Sequence, residues 1–242
     1  MDEAVRRAIS AGEREIQLRA GAVSFQLVRI EPGRFFMGSP PGEAGHQTNE
    51  PLREVRLTAP FYIGTRQVTQ GQFKAIMQSS PGAAKNPSLA ADQILFSQAI
   101  QFCKRLSGET GVPVMLPTEA QWEYACRAGT QTRFYTGDSE ADLARAGWYR
   151  ENSGERVHAP GEKAPNAWGL FDTLGNLWEL CSDFIREPDS TPAVDLVGAR
   201  SESVGAMRGG GWMEPLESCR AARRSMSNDM FGGAGIRLVV SV

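Results

Sequence analysis

Three short segments constrain this chain more than any other part of it: Leu116-Pro117-Thr118-Glu119-Ala120-Gln121-Trp122-Glu123-Tyr124, Gly175-Asn176-Leu177-Trp178-Glu179 and Arg208-Gly209-Gly210-Gly211-Trp212. The first reads as a helix start, with Thr118 at the cap and Gln121 at the third helical position, as a capping box requires. Trp122 and Tyr124 cannot share one face of that helix, so at least one of them packs elsewhere. Glu123 and Arg127 are four apart and can support each other. Glu119 has no histidine near it in sequence, which favours a structural over a catalytic carboxylate. The other two segments set tryptophans beside glycines. With 26 Gly and 14 Pro in 242 residues, the chain suits a fold rich in turns and irregular loops.

Periodicity fills in the rest. Residues 1–20 read as one amphipathic helix with Ala4, Ile9 and Ile16 roughly on one face, an N-terminal cap on the domain or a docking helix. From Val23 to Ile30 the pattern alternates like a strand, Glu31-Pro32-Gly33 turns, and Arg34–Gly38 reads as the hairpin partner. Short strands are expected at 55–57 and 61–64. Thr69 caps a helix carrying Phe73 and Ile76, and a second helix over 96–106 turns Ala99, Phe102, Cys103 and Leu106 inward. Beyond Gly129 regular structure thins, up to a terminal strand at 236–240. Helices among short, mostly antiparallel strands make an α+β domain, with a helical extension at 1–21 and one domain over 22–242.

Composition limits the partners. Twenty-six Lys and Arg against 28 Asp and Glu give a net charge of −2, and no basic stripe is visible, which argues against nucleic acid. Hydrophobic content of 41% with five Trp and eleven Phe describes a folded globule. No apolar run approaches the ~20 residues needed to cross a bilayer. The charged start Met1–Arg7 lacks a signal-peptide core, so a cytoplasmic location is expected. Four scattered cysteines form neither a Cys-x-x-Cys metal pattern nor a disulfide scaffold.

In order and spacing, the three segments resemble the formylglycine-generating enzyme (sulfatase-modifying factor) family, from about Val23 to the C-terminus. The resemblance implies the loop-rich fold related to C-type lectins. It also implies a calcium site with ligands at Asp172, Gly175, Leu177 and Glu179, where two carboxylates and two backbone carbonyls suit a hard cation. The bland alternative is that Glu179 is a buried carboxylate satisfied by protein donors. A second calcium site of the family is not matched, because Arg145-Ala146-Gly147-Trp148 carries no amide where one is needed. The family's copper-dependent oxidases carry two reactive cysteines after the glycine-rich segment. Glu214 stands at the first of these positions, and a carboxylate is a poor ligand for soft Cu(I). No copper is therefore expected. Nor is iron: His46 and His158 read as surface histidines without a His-x-x-x-His spacing. Cys126 and Cys219 match positions that are paired in some secreted relatives, and in a reducing cytoplasm they would remain thiols.

What is left at the family's active-site surface is varied chemistry: Trp212, Met213, Glu214, Arg224, Asn228, Asp229, Met230 and Phe231. Aromatic, Met and Arg side chains on loops are the types that anchor interfaces. Retroelement-diversified binding proteins resemble this family and vary this same segment. The sequence reading is therefore a binding module for a protein or small ligand. Two alternatives stand beside it: an oxidoreductase or maturation enzyme with a site rebuilt around Glu214 and an arginine, and an accessory subunit docked through its N-terminal helix.

Overall fold

The computed structural model describes residues 3–82, 86–185, 187–201, 204–228 and 234–242. The N-terminal segment differs from expectation. Helix α1 covers only Glu3–Ala11, and strand β1 follows at Glu15–Ala20. Gly12, at φ +67°, ends the helix in a conformation that costs other residues strain. Beyond it Ile16, Leu18 and Ala20 are buried in strict alternation, a period of two that the helical reading overlooked. β1 pairs antiparallel with β2 (Val23–Ile30), so it belongs to the domain's own sheet. Only α1 lies outside that sheet. It rests on the same domain, with Val5 buried in the core and the Arg6 guanidinium donating to Gly111 O at 2.9 Å.

The expected hairpin is also re-paired. β3 (Gly33–Met37) does not return along β2; it pairs with β4 (Arg53–Leu57). Both edges of β2 are already taken, one by β1 and the other by β5 (Phe61–Gly64).

Helix α2 (Gln70–Met77) begins at Thr69 with a reciprocal capping box to Gln72. Helix α3 (Phe96–Thr110) runs one turn past the expected end and buries Ala99, Phe102, Cys103 and Leu106 as anticipated. After β6 (Val114–Met115), helix α4 (Glu119–Arg127) starts with the Thr118–Gln121 box. Its Trp122 and Tyr124 enter different apolar clusters. A further helix, α5 (Glu140–Ala146), lies where regular structure was expected to thin. Ser139 caps it with Asp142 at the third position, a signal present in the sequence.

The short strands β7 (Trp178–Leu180), β8 (Ala193–Val194), β9 (Val204–Arg208), β10 (Arg224–Asn228), β11 (Ala234–Gly235) and β12 (Val239–Ser241) complete three sheets among the described residues. A five-stranded antiparallel sheet has the order β1-β2-β5-β12-β6, and α2 and α3 pack on it through Phe73 and Phe102. A three-stranded sheet runs β3-β4-β8. A four-stranded sheet, β10-β9-β7-β11, carries the two glycine-rich segments. The fold is α+β, with short strands and long loops around four buried clusters among the described residues. No helix among the described residues is long and apolar enough to cross a membrane.

Candidate binding cleft and the buried carboxylates beneath it

β9 ends at Arg208, and the glycines that follow turn the chain back across Cys219. Gly210 sits at φ +74°, and a Cβ there would lie 2.7 Å from Cys219 Sγ. Only glycine fits this turn, which delivers Trp212, Met213 and Glu214 to one cleft. Three neighbours fix the arriving backbone. Trp212 N donates to Asn176 O at 2.9 Å, Ser153 Oγ to Trp212 O at 2.9 Å, and Arg150 Nε to Met213 O at 3.0 Å. Trp212 is half-buried against Ala90, Val157 and Leu177, whereas Met213 is 62% exposed. Glu214 Oε1 accepts from Trp178 Nε1 at 3.2 Å. The cleft encloses about 370 Å³ between Trp178, Trp212, Met213, Glu214, Arg223 and Ser225.

Trp212, Met213 and Glu214 thus meet as expected, Arg223 of the same C-terminal segment joins them, and the structure adds Trp178. Trp178 had no local signal, since β7 buries both Glu179 and Leu180 and leaves only Trp178 half-buried. Arg224 lies elsewhere. Its guanidinium is buried and donates to both Glu119 oxygens at 2.6 and 2.7 Å, to Asn49 O and to Ile185 O, so it is not available to a ligand. Glu119 is thereby a structural carboxylate, as its neighbour Glu123 is with Arg127, Arg208 and Gly38 N. The side chain of Asn228, and Asp229, Met230 and Phe231 entirely, fall outside the described residues.

The thiols are withdrawn from the cleft. All four cysteines are free and buried. Burial pushes the Cys219 thiol up, and the nearby Glu214 and Glu151 carboxylates push it further. Cys126 and Cys103 rise to about 12, chiefly through burial. Such thiols stay protonated and unreactive near neutral pH. The histidines divide: His46 bonds Ser39 Oγ at 2.8 Å in a half-buried setting. His158, expected at the surface, is 2% exposed: its ring stacks on Trp148 at 3.8 Å, Ser153 O takes its Nε2, and the Asn176 amide bonds its backbone.

Beneath the cleft lie the four positions that the resemblance assigns to calcium. Glu179 is 1% exposed, and its two oxygens accept from Arg237 at 2.8 and 2.6 Å, from Trp122 Nε1 at 2.7 Å and from Gln67 Nε2 at 3.0 Å. Leu177 O accepts from the same Gln67 nitrogen. Asp172 Oδ2 accepts from Gly161 N at 2.6 Å, while its Oδ1 is buried without a partner. Burial raises Asp172 to about 6, against lowering by the Gly161 N–H. One orphaned oxygen is what a cation would satisfy, but Glu179 and Leu177 already face protein donors and a guanidinium counter-charge. This donor set does not fit a resident calcium ion.

Residues 19–242 match the family described as the sulfatase-modifying factor enzyme 1-like domain. Among curated relatives, the formylglycine-generating enzyme of Streptomyces coelicolor is 28% identical, across 85% of this chain and 86% of that protein. The chaperone protein LppX of Paenibacillus barcinonensis is 23% identical, across 90% of each. The solved structure of Treponema denticola variable protein 1 superimposes with a TM-score of 0.84 at 24% identity, across 94% of this chain and 99% of that one. The chain belongs to the sulfatase-modifying factor enzyme 1-like family and has its fold.

Proposed function

We propose that this protein is a non-oxidase member of the family that binds a protein or small ligand in the Trp178–Trp212–Glu214 cleft. The observation that carries the reading is the cleft's make-up. A carboxylate stands where the family's first reactive thiol is expected, and Cys219 lies buried behind the glycine turn with its thiol held protonated. What faces outward is two tryptophans, an exposed methionine and an opposed Glu214 and Arg223, a mixture suited to an interface anchor. The pair of relatives, one named for catalysis and one a chaperone, supports a family in which the scaffold serves both uses.

The second reading, an enzyme with a rebuilt site, draws on Glu214 and Arg223 sharing the cleft. Affinity capture with the intact chain separates the two when repeated with Met213→Glu and Trp212→Ala. A specific partner should be retained by the wild type and weakened at least about tenfold by either change, with melting unaltered for Met213→Glu. Retention that is indifferent to both substitutions would move the binding surface away from this cleft.

A further inference from the structure

Three oxygens from the expected calcium positions converge on one atom of a residue outside that set. Asp172 O, Leu177 O and Glu179 Oε1 lie 3.2, 3.0 and 3.0 Å from Gln67 Nε2. A chain of hydrogen bonds decides which end of the Gln67 amide faces them. His158 N can only donate, and it donates to Asn176 Oδ1 at 2.9 Å. Asn176 must then present Nδ2 to Gln67, whose Oε1 accepts it at 2.9 Å, with His158 O as a second acceptor at 3.3 Å. Gln67 is left with its NH₂ pointing at the three oxygens. Turning either amide over would set acceptor against acceptor at a site less than 2% exposed.

The charge is supplied separately. Arg237, wholly buried, grips Glu179 in a two-pronged pair and reaches Gly64 O and Phe171 O at 2.8 and 2.7 Å. With Trp122 and Gln67, this gives the carboxylate four donors, which matches its four lone-pair directions. We propose that the Gln67 amide and the Arg237 guanidinium together take the place of a calcium ion, so that Leu177 O and the Glu179 carboxylate beneath the cleft are satisfied without metal and, of the two carboxylates, only Asp172 keeps an unpartnered oxygen, its Oδ1. The same hub holds the cleft in position, since Asn176 O accepts from Trp212 N and Leu177 packs under the indole. Gln67 is therefore a positioning residue. This assignment stands whether the cleft binds or catalyses.

The experiment is a set of thermal melts of the intact chain in EDTA and in millimolar calcium chloride, with elemental analysis of the purified protein. Wild type should melt alike in both and carry no stoichiometric calcium. A resident ion would instead shift the midpoint by on the order of 5 °C or more. Gln67→Glu sets a carboxylate oxygen against three oxygens. It should melt below wild type in EDTA and recover with added calcium, the hard cation then replacing the lost donor. Two results would overturn the proposal: wild type that loses stability in EDTA and regains it with one calcium per chain, or Gln67→Glu that melts like wild type in EDTA.

Discussion

Asp172 shows how a single side chain reports on this buried site. It sits at φ +56° with one oxygen bonded to Gly161 N and the other unpartnered. Burial is the leading cause of its rise from 3.8 to about 6. A carboxyl raised in this way holds its proton more tightly folded than unfolded, so stability falls as pH rises from about 4 to about 6 and stays lowered above. The full effect of such a shift is at most about 3 kcal/mol. Asp172→Asn keeps an oxygen for Gly161, tolerates the left-handed backbone and has no charge to bury. Its melting temperature should exceed wild type at about pH 7 and lose the slope between about pH 4 and 6. A variant that melts lower, or keeps the slope, would show that the folded chain stabilises the ionised carboxylate rather than the protonated one. At this scale legibility followed sequence distance. Trp212, Met213 and Glu214 were readable because one glycine turn delivers all three. Arg224 was not, because its partner Glu119 lies 105 positions away. Gln67 was missed for the same reason: its contacts in the hub begin more than a hundred positions later.

Elements divide along the same line. Capping boxes are written within four residues, so the starts of α2 and α4 were legible at Thr69 and Thr118. Strand partners are not local. The alternation of 23–30 identified β2, yet nothing nearby announced that β1 and β5 would claim both its edges and leave β3 to β4. The N-terminal helix is shorter than its pattern suggests because Gly12 stops it, while Ile16 fits either period. Helix α4 matters most to the site, since it brings Trp122 to Glu179 and holds Glu119 and Glu123 against the arginines. Thr118→Ala removes the acceptor for Gln121 N and should cost about 1 kcal/mol, a drop of about 2–4 °C in melting temperature. An unchanged melt would mean that tertiary packing alone sets the start of α4.

For the whole molecule, the family resemblance carried the fold further than periodicity could, because short strands and long loops leave little periodic signal. The resemblance carried the chemistry less far. On the family's fold this chain presents the glycine turn, the tryptophans and the buried carboxylates, while Glu214 lines the cleft and Cys219 sits behind it. The most direct test is to incubate the purified protein with Cu(I), oxygen, a thiol reductant and a cysteine-containing sulfatase-motif peptide, and to follow the peptide by mass spectrometry. The peptide cysteine should remain a thiol or a simple disulfide, at the level of a protein-free control. Enzyme-dependent conversion of that cysteine to the formylglycine aldehyde would contradict the account and return the chain to the oxidases of its family.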